Sequence, residues 1–143
     1  MSCVNKSITI PYSGEQIYRL VEQVELYPEF VDWCTKGEIV SQDNNIVTAA
    51  LTFEWNKVHY TFSTKNTMQP YSRIDIQLQS GPFKKLCGHW AFNPLNKHWS
   101  EISLNLEFEF DMPGLNLIFN PIFASMANQW VDAFCHRAEE LYD

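Results

Sequence analysis

Four histidines, four cysteines and the strand pair Glu107 and Glu109 are the side chains with which this chain could do chemistry. Their spacing argues against most of it. His59, His89, His98 and His136 share no ligand interval and have no cysteine partner at zinc-site spacing, so no metal site is expected. Cys3, Cys34, Cys87 and Cys135 form no C-x-x-C pair. Cys34 closes a Tyr-Pro-Glu-Phe segment, but no base or cation stands beside it, and a packed thiol is the simpler reading. Glu107 and Glu109 share one face of an alternating run, and the alternation turns that face to water, where carboxylates make poor acids at neutral pH. No G-x-S-x-G or Cys/His signature is present, and no catalytic residue is assigned.

Aromatic carbon is what the chain has in quantity, with ten Phe, six Tyr and five Trp. Period-two alternation places these side chains. Val47, Ala49, Leu51, Phe53 and Trp55 alternate with polar or small residues, Asn56-Lys57 turns the chain, and Val58, Tyr60 and Phe62 follow. Ile74, Ile76 and Leu78 give another strand. Gly81-Pro82 breaks it, and Leu86, Gly88, Trp90 and Phe92 then share a face opposite Cys87, His89 and Ala91. A glycine inside such a strand leaves room on one face or bends the sheet. Ile102, Leu104, Leu106, Phe108 and Phe110 alternate strictly with polar residues, as expected of an antiparallel sheet with one wet face.

Helical signals flank these strands. Val4 to Ile10 is a first strand ending at Pro11. Ser13 and Gln16 form a capping box before a helix whose stripe is Ile17, Leu20, Val21 and Val24. Tyr27-Pro28 stops it, and Pro28 suits the start of a second short helix containing Phe30, Val31 and Trp33. Glu38 to Ser41 is the next strand, followed by a turn at Asp43-Asn44-Asn45. At the C-terminal end the period lengthens: Phe119, Ile122, Phe123, Met126, Trp130, Phe134, Ala138 and Leu141 mark a long amphipathic helix. Either Asn120-Pro121 caps it, or it starts near Leu115 and kinks at Pro121, the reading we favour. That helix must bury its stripe on the sheet's concave face. The fold expected is α+β, one domain over residues 1–143, with about six to seven antiparallel strands and two short helices after the first strand.

Three segments carry a resemblance. Gly81 to Phe92 reads GPFKKLCGHWAF, similar to GPF-x-x-L-x-G-x-W-x-F; Leu20 to Cys34 matches LV-x-x-V-x-x-YPEF-x-x-WC; Trp130 to Ala138 contains VDAF-x-x-RA. Together they resemble the coenzyme Q-binding, START-related (SRPBCC) family of helix-grip proteins, which includes bacterial ribosome association toxins. The resemblance implies a non-enzymatic binder of ubiquinone or a related polyprenyl lipid, serving respiratory quinone function. The lipid is a ligand, and no cofactor is required. The site implied lies between sheet and last helix. From the sheet it takes Phe53, Trp55, Tyr60, Phe62 and Ile76, then Leu78, Trp90, Phe92, Leu106 and Phe108. Phe119, Phe123, Met126 and Trp130 face them from the helix. Tyr60, Trp90 and Trp130 are candidate donors to a quinone head. Tyr27, Pro28, Phe30 and Trp33 form either a gate at the mouth or a structural corner. Burying a prenyl tail gains roughly 4 kcal/mol per five-carbon unit, against an association cost of about 4–15 kcal/mol, so micromolar binding is reachable.

The charge balance is acidic, at -7. It argues against DNA and against broad phosphate-based binding. A large-ribosomal-subunit partner, which the toxin branch implies, is the alternative. It would need Lys57, Lys84, Lys85 and Lys97 gathered on one surface. A cyclase-type enzyme ranks third, since it would need a buried acid or base. No apolar run reaches a membrane span and the N-terminus lacks a secretion-signal pattern, so free thiols and a cytoplasmic location are expected. The lipid-handling reading adds transient contact with the inner membrane surface.

Overall fold

Alternating runs become strands and the long-period run becomes a helix, in a computed structural model that describes residues 2–55, 57–114 and 116–143. The strands are β1 (Ser2–Ile10), β2 (Cys34–Asp43), β3 (Ile46–Trp55), β4 (Val58–Gln69), β5 (Arg73–Ser80), β6 (Phe83–Pro94) and β7 (Ser100–Phe110). Helix α1 (Gly14–Glu22) and a 3-10 helix (Val24–Glu29) follow β1, and α2 (Asn116–Tyr142) closes the chain. All seven strands form one antiparallel sheet in the order β1-β7-β6-β5-β4-β3-β2. Hairpins join β2 through β7 in sequence. The single long return brings β1 onto β7, with Val4 opposite Leu106.

Local chemistry explains the boundaries. Ser13 Oγ accepts from the Gln16 backbone at 3.2 Å, and Gln16 Oε1 accepts from the Ser13 backbone at 2.9 Å, so the capping box is complete. Asp43 pairs with Ile46 across a two-residue turn in which Asn44 has φ 55. Lys57 carries φ 67 at the next hairpin, where Asn56 lies outside the described residues.

Two expectations are corrected here. The second short helix does not contain Phe30, Val31 and Trp33. The 3-10 helix precedes them and includes Pro28, because the backbone N–H groups of Phe30 and Val31 both close onto the Tyr27 carbonyl and end the turn. Strand β2 starts at Cys34, not Glu38. The Glu54 N–H bonds the Trp33 carbonyl at 3.0 Å, which draws the chain into the sheet earlier. At the other end, α2 continues through Pro121, so Asn120-Pro121 is not its cap; Leu115 lies outside the described residues. The proline falls early in the helix, where the lost backbone bond concerns the well-exposed Leu117.

The core lies between the concave sheet face and one stripe of α2. Phe119, Phe123, Ala127, Trp130, Val131, Phe134 and Ala138 are all buried. Phe123 is the hub, with ring centroids 4.9 Å from Phe108, 5.1 Å from Phe83, 5.7 Å from Phe53 and 5.9 Å from Phe62. Two glycines permit close backbone approach. A Cβ on Gly37 would lie 2.0 Å from the Val24 carbonyl oxygen, so this glycine seats the 3-10 helix on β2. A Cβ on Gly88 would lie 1.9 Å from the Asn105 carbonyl oxygen, so β6 and β7 approach more tightly there than any other residue allows. We predict that Gly88→Ala lowers the unfolding free energy by at least about 3 kcal/mol in urea titrations. A midpoint equal to the parent's would show that the strands can part at no cost.

Candidate functional site

The candidate site follows from side-chain size along one hairpin. Facing inward across β3 and β4, the pairs run Phe53–Tyr60, Leu51–Phe62, Ala49–Thr64 and Val47–Asn66. Bulk falls away from the hairpin turn toward the far end. The large end is filled: Phe53 stacks on Tyr60 at 5.4 Å, and Trp55 meets Phe119 edge-on at 5.0 Å. Where the pairs shrink, a cavity of about 70 Å³ remains under the α1–3-10 junction. Its walls are Val47, Ala49, Leu51, Phe62, Thr64, Asn66 and Met68 from β3 and β4, with Ile74, Ile76, Leu86, Trp90 and Leu106 from β5 to β7. Phe123, Trp130 and Phe134 of α2 and Val21, Glu22, Val24 and Tyr27 close it.

Of the residues expected at the site, Phe62, Ile76, Trp90, Leu106, Phe123 and Trp130 line this cavity. Phe53, Trp55, Tyr60, Leu78, Phe92, Phe108, Phe119 and Met126 do not; they belong to the packing around it. Of the gate residues, Tyr27 alone is on the wall. Its hydroxyl donates to the Val21 carbonyl, and burial pushes its pKa far above the usual range. Phe30 packs at 5.3 Å from Phe134, and Trp33 packs at 5.0 Å from Trp130. Pro28 is exposed. Thr64, Asn66 and Met68 were not anticipated. The signal was available: β4 keeps its inward period past Phe62 but turns polar, and Ala49 opposite leaves space.

The polar content of the cavity is small and mostly committed. Thr64 Oγ1 donates to Asn66 Oδ1 at 3.0 Å. Glu22 is exposed. Trp130 differs: its indole Nε1 is buried without a hydrogen-bond partner among the described residues, although the side chain is 7% exposed. An unpaired buried N–H costs about 1–3 kcal/mol.

The other reactive side chains lie elsewhere. His89 is on the outer face with its Nε2 3.3 Å from Asn105 Nδ2, and desolvation with nearby Arg73 lowers its pKa, favouring the neutral ring. With Cys3, Asn5, Cys87, Asn105 and Glu107 it lines a depression of about 270 Å³ on the side of the sheet away from α2. His59 is exposed beside Glu54 at 3.5 Å. Among the described residues no His/Cys/Asp/Glu group is placed to hold a metal. Glu107 is solvent-facing and paired with Lys85 at 2.9 Å. Glu109 departs from expectation. It is half-buried, accepts from Asn116 at 2.7 Å and Asn120 at 3.0 Å, and those bonds hold its pKa below the usual carboxylate value. Strand alternation alone could not show that the first turns of α2 return to the end of β7.

Burial raises the thiols of Cys34 and Cys135 to about 11. With a disulfide-exchange reagent at pH 8, we expect both to stay unmodified until denaturant is added, while exposed Cys3 reacts at once. Full modification of all four in the folded protein would contradict the packed reading.

The comparisons agree with this geometry. The sequence pattern of the polyketide cyclase / dehydrase and lipid transport family matches residues 10–135. The chain is 37% identical to the ribosome association toxin RatA of Escherichia coli over 99% of this chain and 90% of that one. It is 22% identical to the mitochondrial coenzyme Q-binding protein coq10 of Schizosaccharomyces pombe, over 97% and 88%. Among solved structures, the Zhui aromatase/cyclase of Streptomyces sp. R1128 superposes with a TM-score of 0.86 at 13% identity, covering 96% of this chain and 93% of that one. That likeness establishes the helix-grip fold. No helix among the described residues is long and apolar enough to cross a membrane.

Proposed function

The chain belongs to the polyketide cyclase / dehydrase and lipid transport family and its ribosome association toxin branch, and on that premise we propose that it is a non-enzymatic binder of an apolar ligand, of the ubiquinone or polyprenyl-lipid class, acting in respiratory quinone function. The observation that carries this reading is the apolar cavity between sheet and α2, at the place where the inward side chains shrink. The name of the coq10 relative supports the ligand class. A cyclase would need a buried acid or base. The ionisable groups on this wall are exposed Glu22 and Tyr27, whose hydroxyl is committed to Val21. At about 70 Å³ the cavity is well below the roughly 300–1,000 Å³ of common ligand sites, so a prenylated ligand enlarges it on entry. Mass spectrometry of an organic extract of the purified protein should recover a prenylated quinone, and Ala49→Phe, which fills the cavity, should abolish the recovery without unfolding the chain. An empty extract together with no thermal shift on adding quinone would overturn the reading.

A second reading rests on the near full-length similarity to RatA: binding to the large ribosomal subunit that blocks subunit joining. The four lysines that would mark an RNA-docking face do not gather. Lys84 and Lys85 open β6, whereas Lys97 follows its far end, roughly 30 Å of strand away. Lys85 is also neutralised by Glu107. With a charge of -7, the surface suits a basic ribosomal protein better than RNA. Cosedimentation with the large subunit at physiological salt is the expected result for this reading, and its absence in both low and physiological salt would dismiss it.

A further inference from the structure

The unpartnered indole of Trp130 identifies what the ligand must carry. Resting on the apolar-ligand reading above, we infer that the ligand presents an oxygen acceptor, of the carbonyl class, to Trp130 Nε1–H. Trp130 sits on the cavity wall, more than nine-tenths buried, with Trp33 at 5.0 Å and Phe123 at 6.2 Å. Its Nε1 has no partner among the described residues. An ordered water there would need two to four polar partners, and the rings beside the indole offer none. Among the described residues Trp130 Nε1 is the one buried side-chain nitrogen or oxygen without a partner, a description that Trp90 Nε1 on the same wall does not meet; three further polar side chains are accounted for. Tyr27 donates to the Val21 carbonyl, Thr64 donates to Asn66, and Glu22 is exposed to water.

An indole N–H donates and cannot accept, so its complement is an oxygen or nitrogen lone pair. The walls around it are aliphatic and aromatic, which excludes a charged acceptor such as a carboxylate or phosphate: none of the lining residues is a cation. A neutral carbonyl on an otherwise apolar ligand satisfies both conditions. A site with a buried donor also rejects a ligand that lacks the acceptor, because the donor then stays unpaired.

The test uses the full chain, with menadione as the carbonyl probe and methylnaphthalene as its hydrocarbon match. The five tryptophans give separable indole N–H signals in a nitrogen–proton correlation spectrum, and Trp130 is assigned through its contacts with Phe123. Menadione should move the Trp130 signal downfield, and methylnaphthalene should bind without doing so. By calorimetry, Trp130→Phe should weaken menadione about ten-fold and leave methylnaphthalene within about two-fold. Equal losses for both probes, or a Trp130 signal that menadione does not move, would overturn the assignment and leave Trp130 as wall. Should the variant fail to fold, the wild-type titration decides alone. If neither probe binds the wild-type protein, the cavity reading fails and the anchor with it.

Discussion

One helix must cover a wide sheet, and the rest of the structure follows from that mismatch. Seven strands span about 29 Å, whereas a helix with its side chains is about 10 Å across. A flat sheet would leave most of its apolar face wet. Here the sheet is drawn together where Gly88 lets β6 reach the β7 backbone, and the aromatic stripe of α2 enters the concavity. Phe123 fills the middle, with rings from β3, β4, β6 and β7 around it. Helix α1 and the 3-10 helix cover the remaining width. Where these two covers meet, the inward residues of β3 and β4 are small, so the covers line the gap without filling it.

That gap is a local departure from close packing, and it carries a cost. At about 24 cal/mol per Å³, a 70 Å³ cavity costs about 2 kcal/mol, and the unpaired Trp130 indole adds about 1–3 kcal/mol. Against a typical total of 5–15 kcal/mol these are large concessions. A tryptophan could be replaced by phenylalanine and Ala49 by something bulkier to recover both. Places where a sequence breaks a packing rule without local compensation are where a ligand is expected to supply the missing contacts.

Much of this was legible from residue order. Period two gave the strands, the capping box gave the start of α1, and the long period gave α2, because each is a local pattern dictated by backbone geometry. The extent of the filled core was not legible. Phe53, Trp55, Tyr60 and Phe108 alternate inward as the lining residues do, and only the three-dimensional meeting with Phe119 and Phe123 shows that they pack solid. The position of the cavity was partly legible, in the step from Phe62 to Thr64 and in Ala49 opposite. Glu109 was misplaced because its partners, Asn116 and Asn120, approach from an element whose path a strand pattern does not encode. The break after Glu29 is set by two N–H groups competing for the Tyr27 carbonyl, a detail that Pro28 obscures.

The three segments that carry the family resemblance turn out to be one physical unit. Arg137, from the last segment, donates to Glu29 at 2.9 Å and lies 5.2 Å over the ring of Phe30, both in the Tyr-Pro-Glu-Phe stretch. Phe134, three residues earlier on the same helix, meets Tyr27 at 5.2 Å, Phe30 at 5.3 Å and Trp90 of the glycine-containing strand at 5.4 Å. These residues fix the corner at which the 3-10 helix, α2 and β6 join, and that corner is one wall of the cavity. Their chemistry is packing, a cation over a ring and one surface ion pair, with no acid–base couple among them. A motif of this kind specifies a wall and leaves open what lies against it.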